Sequence, residues 1–146
     1  MIVNSNVQKF LTVILNSRVR RLQFSRVRTS QRCRGILSNL KIKTGLTPNI
    51  LSRFGICLSL KDPSIPNPEE FDEEGTEFLP IVLFGEHEKM FLALMLDRLE
   101  KDKLDPNKDL NRMMRAHLNR GVYSLVSRVR GLSDINEMIK AEQKFD

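Results

Sequence analysis

Two hydrophobic periods alternate along this chain. In LQFSRVR, residues 22–28, Leu22 and Phe24 are spaced two apart among polar residues, which predicts a short strand. Arg26 and Arg28 then share the face opposite Val27. Behind Ser30, a residue suited to cap a helix, Cys33, Ile36, Leu37 and Leu40 fall at i, i+3, i+4 and i+7, and Gly45 supplies a left-handed stop. The spacing predicts a helix of about four turns. Thr47 followed by Pro48 is a second start signal, because proline at the first helical position loses no hydrogen bond. Ile50, Leu51, Phe54, Cys57 and Leu58 mark the expected buried face, with an end before Asp62 and Pro63.

Residues 62–80, DPSIPNPEEFDEEGTEFLP, interrupt the pattern with prolines and acids and predict an exposed loop. Helical periods return over 86–101, with Met90, Phe91, Leu94, Met95 and Leu99 inward, and over 109–130, with Leu110, Met114, Leu118, Val122, Leu125 and Val129 inward; Pro106 separates them. Gly121 falls inside the second, marking either close helix packing or a break. A short helix over 133–142 follows a Ser133 cap. The order of a strand, a helix, a tight turn and a helix predicts a mainly α, ribbon-helix-helix-like fold in which two chains pair their strands. One such unit lacks a complete core, so a single small domain that oligomerises is expected, spanning residues 22–146 after an extension at 1–21.

Charge changes the picture more than composition does. The chain has 146 residues, 40% of them apolar, and a formal net charge of +6. Residues 1–61 carry 12 Lys and Arg and no acid, whereas residues 62–146 carry the other 12 bases against all 18 acids. A chain this segregated favours a polyanion, or an acidic protein surface, as partner for its basic half. The densest stretch is RVRRLQFSRVRTSQRCRG, residues 18–35, with Arg18, Arg20, Arg21, Arg26, Arg28, Arg32 and Arg34. Guanidinium forks match phosphate oxygens, so nucleic-acid backbone is one reading and a solvated or oligomer-contact face the other.

A second basic set, Arg112, Arg115, Arg120, Arg128 and Arg130, lies where no acid occurs between Leu110 and Ser133, and the two sets could form one footprint. Besides Gln23 and Asn39 there is little to read base edges, and Phe24 alone interleaves with the arginines for stacking. Duplex backbone is the better fit. Contact with about six to ten phosphates would make affinity fall steeply with salt.

An enzyme would have to use Glu86, His87 and Glu88 of GEHE, or His117 on a helix near its apolar stripe. Adjacent residues point to different helix faces, so this is not a metalloprotease-type pair, and His117 reads as a hydrogen-bonded core residue. A metal-dependent nickase through Glu86, Glu88 or His117 is the minority alternative. No phosphate-binding glycine loop or nucleophile elbow is present, and Cys33 and Cys57 have no zinc-like spacing; a reduced, cytoplasmic setting without cofactor or metal is expected. The N-terminal apolar run, Val13 to Leu15, is too short for a membrane span and shows no secretory pattern.

KTGLTPNILSRFGICLSL at 43–60, EEGTEF at 73–78, LFGEHE at 83–88 and RAHLNRGV at 115–122 together resemble the DndE family of DNA sulfur-modification proteins, over about residues 22–132. The resemblance implies a mainly helical, ribbon-helix-helix-like tetramer with a basic surface that favours nicked duplex DNA, acting as an accessory subunit among other phosphorothioation proteins. It carries Arg26, Arg28, Lys41 and Lys43 as candidate contacts; Arg18, Arg20 and Arg21 precede the matched part. The leader of about twenty residues and the heavy use of arginine depart from the family pattern. Sulfur insertion itself implies a cysteine desulfurase and a nucleotide-activating iron–sulfur partner, for which this chain has neither enough cysteines nor a nucleotide loop. A structural adaptor that docks its basic half on protein remains the alternative to DNA binding.

Overall fold

The computed structural model describes residues 5–9, which are helical, and residues 22–143. Arg18, Arg20 and Arg21 of the basic stretch lie outside the described residues. Strand β1 (Val27–Arg28) leads into α1 (Gln31–Thr44) and α2 (Pro48–Lys61). A 3₁₀ turn (Pro68–Glu70) and β2 (Glu77–Phe78) occupy the acidic segment. Then come α3 (Pro80–Phe84), a 3₁₀ turn (Gly85–His87), α4 (Glu88–Lys101), α5 (Pro106–Arg128) and α6 (Leu132–Gln143). The described residues are mainly helical, with one two-stranded sheet.

The first two helices form as their caps dictate. Ser30 Oγ accepts from Cys33 N at 3.0 Å, and Gly45 closes α1 at φ 75°, its N–H donating to the Lys41 carbonyl. Pro48 opens α2 at its first turn. Helix α5 both starts and ends earlier than the expected 109–130: Pro106, which parts it from α4, is its first residue, behind an Asp105 carboxylate that accepts from Asn107 N.

The expected strand over 22–28 shortens to two residues, and its partner lies in the same chain. Val27 pairs with Phe78 and Arg28 with Glu77, antiparallel. Phe24 instead enters the core beside Phe84, ring centroids 4.6 Å apart, and Phe84 stacks on toward Phe91 at 5.0 Å.

Helix α2 buries a different face from the one its apolar period suggests. Leu51, Ser52, Gly55, Ile56 and Ser59 are buried, whereas Ile50, Phe54 and Leu58 are half-buried and Cys57 is exposed. Small residues face α5 because the two backbones nearly touch. A Cβ placed on Gly121 would lie 1.7 Å from the Gly55 carbonyl oxygen, so only glycine fits, and α5 continues unbroken through it. Helix α4 is rotated likewise: Phe91, Met95, Leu96, Arg98 and Leu99 are buried, while Met90 and Leu94 face solvent. The reason is Arg98, whose buried side chain claims the position that a longer apolar stripe would have used.

The acidic segment is no loose loop. Phe71 and Phe78 are buried, and Phe71 meets Tyr123 edge-on at 5.4 Å. The Gly75 N–H donates to the Thr29 carbonyl, and Thr29 Oγ1 accepts from Thr76 N at 2.8 Å. A Cβ on Gly75 would come within 2.2 Å of the Ser30 carbonyl oxygen, so glycine is required where the segment crosses the start of α1.

Candidate nucleic-acid interface

The corner between β1 and α1 is fixed from below by α5. Asn119 Oδ1 accepts from Ser30 N at 2.9 Å, and Ser30 Oγ lies 2.6 Å from the Tyr123 hydroxyl. With Val27 anchored inward, Arg26 and Arg28 must point outward, and their side chains are 65% and 56% exposed. Both guanidiniums reach the same carboxylate, Glu77, at 3.4 Å. They line an open groove of ≈ 580 Å³ together with Ser25, Asn111, Arg112 and the acids of the 69–77 segment. Asn111 Oδ1 accepts from Ser25 N and so ties this groove to the first turns of α5. Arg112, from the second basic set, therefore does join Arg26 and Arg28; it lies 3.2 Å from Asp109 and 3.9 Å from Glu69.

Helix α1 carries the next four cations. At 100° per residue, Cys33, Leu37, Leu40 and Thr44 fall on the buried face, Arg34 and Lys41 on one flank and Arg32 and Lys43 on the other. The outermost strip between the flanks is Gln31, Gly35, Ser38 and Ile42, exposed and without charge. Arg32 lies over the Tyr123 ring, 4.5 Å from its centroid, which holds one guanidinium plane in place. Among the described residues, Arg34, Lys41 and Lys43 form no ion pair. Lys41 and Lys43 stand in the last turn, where the helix dipole favours cations. A Cβ on Gly131 would lie 4.0 Å from the Lys43 carbonyl oxygen, so the chain beyond α5, with exposed Arg128 and Arg130 on either side of buried Val129, runs beside this end of α1. Fourteen residues of α1 thus separate two clusters of cations by about 20 Å.

Arg115 and Arg120, candidates of the same class from sequence, are placed differently. Arg115 donates to the carbonyls of Pro68, Phe71 and Asp72 at 2.8, 3.0 and 3.3 Å and reaches Glu73 at 3.4 Å. It binds the acidic segment to α5. Arg120 donates to Ser59 Oγ, the Ser59 carbonyl and the Ser64 carbonyl, each at 2.8 Å, and burial lowers its pKa. Beside it Arg98 donates to Asp102 at 2.8 Å, to the Leu60 carbonyl at 3.1 Å and to the Ser64 carbonyl at 2.6 Å. These two guanidiniums add donors to the Ser59 and Leu60 carbonyls at the end of α2 and to the Ser64 carbonyl just beyond it. Sequence alone gives no sign of this, because a cation that caps a helix and one that meets solvent are spelled alike.

The residues named for a nickase are not gathered. His117 is fully buried, with Nδ1 2.8 Å from Ser59 Oγ, and its pKa is pushed down to about 3 by burial first and then by the charges of Arg98 and Arg120. It stays neutral in the core. The Glu86 side chain is 87% exposed and, among the described residues, pairs only with neighbouring His87, at 3.6 Å. Among the described residues no three His, Cys, Asp or Glu side chains stand close enough to hold a metal ion. Cys33 is buried, its thiol pushed up to about 12 by desolvation, which makes it a packing residue rather than a nucleophile. No helix among the described residues is long and apolar enough to cross a membrane.

Residues 26–131 match the family described as DNA sulphur modification protein DndE. The chain belongs to the DndE family. The crystal structure of DndE from Escherichia coli B7A, involved in DNA phosphorothioation modification, is 25% identical, with a TM-score of 0.59 over 70% of this chain and 97% of that one. A glycine-to-lysine mutant of DndE involved in DNA phosphorothioation shares the fold at 24% identity and a TM-score of 0.57, over 70% of this chain and 98% of that one. None of the curated proteins matches. As a DndE family member the chain is a protein of the DNA phosphorothioation system, and the matched segment contains β1, α1 and the whole of α5.

Proposed function

We propose that this DndE family protein is the DNA-holding accessory subunit of phosphorothioation, binding duplex backbone, in preference nicked, while partner proteins carry out sulfur insertion. The observation that carries this reading is the α1 surface: Arg34, Lys41 and Lys43 are exposed and, among the described residues, their side chains form no ion pair. Cations that support no internal contact cost the folded chain self-repulsion, and a phosphate backbone relieves it. Arg26, Arg28, Arg32 and Arg112 extend the surface toward the groove, and Arg128 and Arg130 extend it at the far end. Arg115 and Arg120 are left out, since their donors are engaged in the fold. The outermost strip of Gln31, Gly35 and Ser38 offers little for base reading, so sequence preference is weak. The preference for nicks and the tetramer follow from the family resemblance, and the cytoplasmic setting from the cysteine usage of the sequence. In this reading the role is non-catalytic: the chain holds the duplex, and the chemistry of sulfur insertion belongs to partner proteins.

The test is binding of the purified protein to intact and singly nicked duplexes of one scrambled sequence across a salt series, with its mass in solution measured in parallel. An oligomer that binds tightly at low salt, more tightly to the nicked duplex, and with a steep salt slope supports the reading. Absence of binding at the lowest salt overturns it and leaves the α1 cations to a protein partner.

A further inference from the structure

The groove end of the basic surface differs from the α1 end in one respect: its cations are already occupied. Glu77 holds Arg26 and Arg28 at once, Glu69 approaches Arg112 at 3.9 Å, and Asp72 accepts from the Gln31 N–H at 2.9 Å, at the start of α1. The hydrogen bond from Gln31, and then that from Glu74, hold the Asp72 carboxyl below its usual range. Carboxylates of one nine-residue stretch thus stand at an arginine pair, at a single arginine and at a helix N-terminus. These are the three kinds of place where a phosphate would bind.

We infer that the acidic segment is a resident polyanion, with Glu77 as its exchangeable member, and that a DNA phosphate takes Arg26 and Arg28 by displacing Glu77. This rests on the DNA-binding reading above and adds a built-in restraint on it. The backbone of the segment does not leave. Phe71 and Phe78 anchor it in the core, and Arg115 fixes three of its carbonyls. Exchange is confined to the side chain, and the geometry makes it easy: one carboxylate shared by two guanidiniums at 3.4 Å, exposed to solvent, holds each weakly. A phosphodiester brings its charge to the same forks in place of the carboxylate and leaves Glu77 free to attract a cation. The restraint favours a ligand that engages the whole surface over a stray anion, because only the former has α1 contacts to offset the displacement.

The experiment compares the wild-type chain with Glu77→Gln and with Glu137→Gln, an equal charge change on exposed α6, for binding to a nicked duplex from low to moderate salt. Glutamine keeps the size of residue 77 and its place opposite Arg28, and thermal melting checks that both variants fold. Glu77→Gln should bind about threefold to tenfold more tightly at low salt, with a log–log salt slope steeper by up to about one, since no freed carboxylate takes up a cation. Glu137→Gln should match wild type. Wild-type binding that Glu77→Gln leaves unchanged or weakens overturns the inference while the DNA reading stands, and so does an equal gain in Glu137→Gln. If no form binds duplex at the lowest salt, the DNA reading itself fails and takes the inference with it.

Discussion

Arg98, Arg115 and Arg120 face inward, and Arg34, Lys41 and Lys43 face outward, on helices of one small domain. The inner three are surrounded by acceptors of the fold itself: carbonyls at the end of α2, carbonyls of the acidic segment, and the Asp102 carboxylate. The outer three meet no acceptor within the described residues. One group of cations holds the fold together, and the other is left over for something else. A count of arginines in a basic stretch therefore overstates a binding surface until the internal acceptors have been subtracted.

The largest effect should come from breaking the inner set where it is deepest. In the Arg98–Asp102 pair each side chain is 8% exposed. Arg98→Ala removes one partner, leaves a buried carboxylate, and uncovers the Leu60 carbonyl, while Arg120 still donates to that of Ser64, a loss of about 3–5 kcal/mol. Urea denaturation would show the midpoint collapse, and an unchanged midpoint would mean that Arg98 belongs with the outer group after all. Arg115→Lys is the gentler version. A single ammonium does not span carbonyls at Pro68, Phe71 and Asp72, so a loss of about 1–3 kcal/mol is expected, with faster amide exchange along 68–76.

A pH titration tests the same interior through its histidine. His117 has a folded pKa of about 3, against an ordinary value of 6.5, because it is buried and lies near Arg98 and Arg120. Below pH 6.5 the unfolded chain takes up a proton that the folded chain refuses. Stability is therefore full above that pH and declines as pH falls toward 3, with a slope of up to about 1.4 kcal/mol per pH unit from this group. Replacing His117 with Gln, which keeps a polar partner for Ser59, should flatten that slope. If melting temperature falls with acid equally in both proteins, His117 is not kept neutral in the fold by its burial or by Arg98 and Arg120.

How much of this division could be read from sequence follows from what sequence patterns record. Caps and stops are local, so Ser30, Gly45 and Pro48 place α1 and α2 correctly from sequence, although the Thr47 hydroxyl makes no capping hydrogen bond. An apolar period records which residues avoid water, and it fails on α2 and α4, where helices meet through something else. On α2 that is the Gly55–Gly121 approach, which buries Ser52 and Ser59 in place of Cys57; on α4 it is Arg98. Phe71 in an acidic, proline-rich stretch reads as solvated because its partner, Tyr123, lies far away in sequence. Pro80 marks the start of α3, a signal of the same kind as Pro48. Of the candidate contacts, the outward positions of Arg26 and Arg28 are legible from alternation with Val27. The placement of Arg115 and Arg120 is not, since their acceptors are backbone carbonyls, which every residue has.

The variant that should disturb stability least tests the division between inner and outer cations most severely, because it should disturb binding most. Combining Arg34→Ala, Lys41→Ala and Lys43→Ala removes exposed charges that form no ion pair among the described residues, so each substitution should change stability by no more than about 0.5 kcal/mol. Binding should respond in the opposite measure. Each phosphate that the variant no longer neutralises makes the log–log salt slope less negative by about 0.9, and affinity at low salt falls with it. The inner arginines cannot give that combination, since their removal unfolds the surface along with the site. A triple variant that melts like wild type but keeps the full salt slope would place the phosphates elsewhere, at the groove or at Arg128 and Arg130, and would leave the α1 cations facing protein.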